Sequence, residues 1–272
     1  MGESSKVTAG ERIARFTGIA PRLAVVNFVC FLAFLPVFSW FYLLVNTYIH
    51  ASFDTGVVDL LPGIGYFAGL LLRLPPLVFY ALLILSALLL GPLLLGLHAV
   101  TGGIVTGRHV WVSDFFSEAL RNARQGVILG LFCVVAGQLT LWNIFGGLHS
   151  DTAWLAFLLS VSRWISVLLF LLFWLTVPFV CQIAVSLEQP LWAVVKNGMI
   201  LSRVYLGRGL LALLGIGLTW WVTTVSFPGL SLLSLPLLSI GFTAFVQTAV
   251  SRPIVDRYLL EPARRWQNDN SK

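Results

Sequence analysis

Charge is what this sequence has least of. Only 10% of its 272 residues are Asp, Glu, Lys or Arg, against 58% hydrophobic, where soluble domains carry roughly 25% charged residues. At a mean hydropathy of +0.92 no soluble core could hide the apolar surface, so lipid must be the solvent for most of the chain. Acidic residues are scarcest, 11 in all, and none falls in the core of an apolar run. Ion-coupled carriers usually hold a carboxylate at membrane depth, so the pattern argues against an ion-coupled pump. The three cysteines, Cys30, Cys133 and Cys181, each lie inside an apolar run and read as small packing residues; no disulfide is expected, and no CxxC or Cys/His cluster suggests a metal. There is no Walker loop, HExxH, GxSxG or glycine-rich nucleotide fingerprint. No nucleophile–base pair stands out, and the chain is read as non-enzymatic, without cofactor or metal.

What is present in abundance is apolar runs long enough to cross a bilayer, about 20 residues each. Six are expected, near residues 23–48, 75–101, 126–145, 154–185, 208–226 and 231–250. The first is too long for the core of a signal peptide, typically about 7–15 residues, and reads as a retained span. In the fourth, Arg163 suggests that the membrane part starts near that residue. Residues 49–74, with Pro62 and several glycines, are expected to hold a short interfacial or re-entrant helix. The fold class is therefore an all-α polytopic transmembrane bundle: a polar N-terminal segment over 1–22, a six-span domain over 23–250, and a charged C-terminal tail over 251–272.

The net charge of +6 does not form one patch, which speaks against nucleic acid. Basic residues recur instead between apolar runs. Lys6, Arg12, Arg15 and Arg22 precede the first span; Arg108, Arg121 and Arg124 sit in one connection, Lys196, Arg203 and Arg208 in another; Arg252, Arg257, Arg264, Arg265 and Lys272 follow the last. Only Arg73 and Arg163 fall on the other side. The positive-inside rule then places both termini and both connections in the cytoplasm.

These two connections read as amphipathic elbow helices. In the first, Ser113 and Asp114 can begin a helix as cap and first-turn acid, with Trp111, Phe115, Phe116, Ala119, Leu120 and Ala123 on one side. In the second, Ser186-Leu-Glu-Gln189 has the capping-box pattern, followed by Pro190 and a stripe of Leu191, Val194, Val195, Gly198 and Met199. FSEALRN (116–122) aligns with LWAVVKN (191–197), each ending in a base and Asn. A proline expected to break the helix precedes each elbow, Pro92 after Gly91 and Pro178 after Val177, and Pro36 interrupts the first span. The hairpins at 75–145 and 154–226 are thus a candidate parallel repeat.

Two readings of the elbows stand side by side. In one, a polar site lies between the hairpins near the broken helices, with Arg121, Asn122, Lys196 and Asn197 as binding residues and Asn27 and His98 contributing from the spans. In the other, the elbows cap the bundle at the interface, Asn122 and Asn197 bond freed carbonyls, His98 is a hydrogen-bonded packing residue, and Asn27, Gln138, Asn143, Gln182 and Gln247 hold helices together at about 0.6–2 kcal/mol each. Gly126, Gly130 and Gly137 make a small-residue stripe for close helix contact.

Asn27 with Leu35-Pro36-Val37, Gly91-Pro92, Phe115-Phe116, Arg121-Asn122-Ala-Arg-Gln125 and Lys196-Asn197-Gly together resemble the YesL-like family of bacterial integral membrane proteins, a domain of unknown function. The likeness is spread over residues 23–214 in short pieces. It departs where Val37 leads into Phe38-Ser39-Trp40 and Gly91-Pro92 follows only after a long insertion. The resemblance implies an accessory role beside a carbohydrate-uptake system. The expected function is an accessory or scaffold component that contacts the bilayer and another membrane protein or transport system. The alternative is a small transporter or facilitator with a polar path between the hairpins.

Overall fold

The computed structural model describes residues 9–53, 67–71, 73–145, 152–222 and 232–262. All of the regular structure among them is helical. Helix α1 is Ala9–Phe53, α2 Pro76–Val105, α3 Val112–Arg121 and α4 Ala123–Phe145. Helix α5 is Ala153–Ser186, α6 Leu191–Val204 and α7 Leu206–Trp221. The last, α8, runs over Leu232–Leu260, with π-helical turns at Leu235–Ser239 and Asp256–Leu260. Five of these contain stretches long and apolar enough to cross a membrane: Ala20–Leu43, α2, Ala123–Ile144, α5 and α8. The bent pair α6 and α7, at 88°, makes the sixth if it counts as one span. The expected all-α membrane bundle is the fold observed. Most of the segment expected to be re-entrant or interfacial lies outside the described residues.

The prolines do not break helices as expected. α1 continues through Pro36, α2 through Gly91 and Pro92, and α5 through Pro178. The reason at Pro92 is packing: α2 crosses α4 with backbone against backbone. A Cβ on Gly91 would lie 1.7 Å from the Gly126 carbonyl oxygen, and one on Gly130 would lie 2.5 Å from the Gly91 nitrogen. Tight small-residue contact of this kind holds membrane helices together where the hydrophobic effect cannot. Gly137, the third member of the expected stripe, makes no such contact; its nearest neighbour is Phe41 Cζ at 3.6 Å from a built Cβ.

Irregularity appears elsewhere. The π turn at Leu235–Ser239 takes backbone groups out of α register, and Asn27 bonds three of them. Its Nδ2 donates to the carbonyls of Leu235 (3.1 Å) and Pro236 (2.6 Å), and its Oδ1 accepts the Gly241 N–H. In lipid every freed backbone group needs a protein partner, so Asn27, fully buried, is a clamp between α1 and α8. Trp40 Nε1 donates to Gln138 Oε1 (2.9 Å), Asn143 Nδ2 to the hydroxyls of Ser162 and Ser166 (both 2.7 Å), and Trp220 Nε1 to Thr243 Oγ1 (2.9 Å). Trp220 thus faces inward and Trp221 outward.

Candidate functional site

The elbows dock on the spans through glycine. A Cβ on Gly96 of α2 would lie 2.6 Å from the Phe115 carbonyl of α3, and one on Gly198 of α6 would lie 2.5 Å from Val180 Cγ2 of α5. The helix start in the first elbow differs from the expected Ser113. The cap is Trp111, whose N–H donates to Asp114 Oδ2 at 2.8 Å, because Asp114 at the third helical position can reach back that far. The apolar stripe also divides. Phe115 and Ala119 are buried against the bundle, whereas Leu120 is 76% exposed and Phe116 is exposed beside it. In the second elbow the expected capping box is not made. α5 runs on to Ser186, so that residue is helical, and Pro190 stands at the cap of α6.

Arg22 fastens the first elbow to α1. Its guanidinium lies 4.1 Å from the Trp111 ring centroid, and Nη1 donates to the Val110 carbonyl at 3.0 Å. Arg22→Ala is expected to cost about 1–2 kcal/mol, the worth of a partly desolvated cation–π contact with its hydrogen bond. Faster amide hydrogen exchange across Val112–Arg121 than across α4 would register the loosened elbow, and Arg22→Lys would restore only part of the protection.

The two elbows meet in a polar cleft of about 630 Å³. One wall is Arg121, Asn122, Arg124 and Gln125; the other is the chain from Ala184 to Gln189. Gln125 Nε2 donates to the Gln189 carbonyl (3.0 Å), and Arg121 Nη2 reaches the Val185 carbonyl (3.4 Å) while pairing with Glu118. Asn122 lines this cleft and closes the end of α3 by donating to the Glu118 carbonyl (3.0 Å). Asn197 sits in mid-helix on α6 and donates to Gln189 Oε1 (3.3 Å). The aligned asparagines therefore occupy different helix positions, one at a C-terminus and one in an interior. Lys196 is exposed and does not line the cleft.

Behind the cleft, three helices share a buried polar seam. His98, 1% exposed, places Nδ1 3.0 Å from Thr248 Oγ1. Gln182 Nε2 donates to the His98 carbonyl (2.9 Å) and to Thr248 Oγ1 (3.1 Å), and the Thr101 and Thr248 hydroxyls lie 2.9 Å apart. One turn further along both helices, Arg252 Nη1 donates to Ser186 Oγ (2.6 Å) and Nε pairs with Asp256. The seam joins α2, α5 and α8 and leads from the bundle interior to the cleft. Nothing in the sequence placed Arg252 or Thr248 in it; the i, i+4 spacing of Gln182 with Ser186 and of Thr248 with Arg252 was the available signal.

The arrangement offers cations, amides and backbone carbonyls at the cleft. Among the described residues no group of three or more His, Cys, Asp or Glu is placed to hold a metal. His98 and Asn27 lie outside the cleft and are engaged within the bundle. No family model, curated protein or solved structure matches this chain.

Proposed function

We propose that this chain is a non-enzymatic accessory or scaffold protein of the bacterial inner membrane, related to the YesL-like proteins and serving a solute-uptake system, with carbohydrate uptake the case that resemblance points to. It threads the bilayer six times, with both termini and both elbows in the cytoplasm, as the distribution of Lys and Arg requires. The observation that carries the scaffold reading is what abuts the two prolines. Pro92 is pressed against Gly126 backbone, the void beside the buried Pro178 is only about 20 Å³, and the larger cavity that reaches Gly91 and Val177 is walled mainly by apolar side chains. A polar solute needs a wetted route, and dry packing at these points favours a structural role. The elbow surface supplies a docking face. Trp192, 77% exposed, and Leu120 project beside Arg121, Arg124 and Lys196, a mixture suited to lipid headgroups and a protein partner.

The transporter reading draws on the polar cleft where the two hairpins meet. Purified protein in liposomes separates the two. A scaffold moves no sugar or other small solute and co-purifies with a membrane partner under mild solubilisation. A transporter accumulates solute, and Asn122→Ala with Asn197→Ala slows it.

A further inference from the structure

At the centre of the bundle lies a cavity of about 450 Å³ walled by α1, α2, α4, α5, α7 and α8. That is within the usual range for small-molecule sites, about 300–1,000 Å³. Its wall is aromatic, with Phe34, Phe38, Phe41, Phe173, Trp174 and Trp220 among the residues that face it. No Lys, Arg, Asp or Glu lines it, so a charged head group would be desolvated there without compensation. Phospholipid heads and ionised fatty acids are excluded on that ground.

Two polar side chains stand out on this wall, His98 and Gln247. Gln247 is 7% exposed, and among the described residues its side-chain amide has no hydrogen-bond partner, Nε2 being fully enclosed. His98 uses Nδ1 in the seam, and its Nε2 has no partner among the described residues. The Thr248 hydroxyl accepts from Gln182 and can donate to Nδ1, the tautomer that puts the ring proton on Nε2. Unpaired donors in an apolar site cost about 1–3 kcal/mol each; the other span side chains described above have their donors paired, Gln182 keeping only its Oε1 acceptor without a partner among the described residues. A ligand that brought a carbonyl oxygen to this corner would recover that cost.

We propose that the central cavity binds an isoprenoid quinone: a neutral, flat, carbonyl-bearing ring stacked among the aromatic side chains, its carbonyl accepting from His98 Nε2 and, once the Gln247 amide turns toward the cavity, from Gln247, and its tail running along the apolar wall. A second apolar cavity of about 340 Å³ shares Leu94, Cys133, Phe173 and Val177 with the first and lies in line to take the tail. The proposal concerns binding only and is independent of the scaffold reading.

The test uses the full chain in detergent with decyl-ubiquinone as probe, read by thermal unfolding. A saturable rise in Tm is expected. Gln247→Leu removes the amide and should weaken the apparent Kd about tenfold, the worth of one hydrogen bond. Gly217→Leu fills the cavity from a position where a Cβ meets nothing within 4 Å and should abolish the shift. The proposal is overturned by no shift in the wild type, by an undiminished shift in Gly217→Leu, or by an equal shift with monoolein, which has a neutral carbonyl-bearing head and no ring.

Discussion

Gly91→Leu is expected to leave no folded bundle to purify, and Gly91→Ala to lower stability by about 3 kcal/mol or more, at the upper end of overpacking costs. The obstacle is main chain. A built Cβ falls 1.7 Å from the Gly126 carbonyl oxygen and 2.7 Å from the Gly130 nitrogen, so α2 and α4 must separate along their whole crossing. Separation would also move Gly96 away from α3, because the first elbow rests on the same helix one turn further on. Gly137→Ala and Gly215→Ala are the controls. The first meets Phe41 at an ordinary contact distance and the second meets nothing within 4 Å, so each should keep the wild-type Tm within a degree or two. Size-exclusion profiles of fluorescently tagged protein, heated in steps, report all four.

Asn27→Leu is the second large effect. It removes both donors to the Leu235 and Pro236 carbonyls and the acceptor for the Gly241 N–H, leaving three backbone groups without that partner inside the membrane. At about 1–3 kcal/mol for each orphaned group, with some recovered by relaxation, the loss should be about 3–5 kcal/mol. Asn27→Asp keeps the acceptor but turns a carboxylate oxygen toward two carbonyl oxygens, so it should cost at least as much as Asn27→Leu. If the π turn at Leu235–Ser239 were held by its own helix alone, both variants would unfold where the wild type does.

Gln182→Leu tests the seam at smaller scale. It deletes the donor to the His98 carbonyl and to Thr248, and a cost of about 1–2 kcal/mol is expected. A double-mutant cycle with Thr248→Val should show coupling of about 0.5 kcal/mol or more.

The spans were legible because apolar length is a strong signal that neighbours do not alter. Pro92 and Pro178 were misread because a proline looks the same in sequence whether it ends a helix or is packed through. What decides the matter at Pro92 is glycine on α4, some 35 residues away. Asn27 invited a ligand reading because its partners are backbone groups, and backbone carries no residue identity; only the π turn, unmarked apart from Pro236, reveals them. The capping box at Ser186–Gln189 failed for a related reason, since α5 had already claimed Ser186 and Arg252 had claimed its hydroxyl. The central cavity was invisible from sequence, because no local pattern shows that six separate apolar faces leave a gap. Gln247, expected to hold helices together, instead faces that gap, as does Trp220.

The threading of the chain carries the account, because the accessory role and the docking face on the elbows both assume an elbow end in the cytoplasm. Fusing green fluorescent protein and, separately, alkaline phosphatase behind Lys272 tests it directly. Six crossings with basic connections inside predict a fluorescent first fusion and an inactive second. An active phosphatase with a dark fluorescent partner would put the C-terminus in the periplasm and contradict the account.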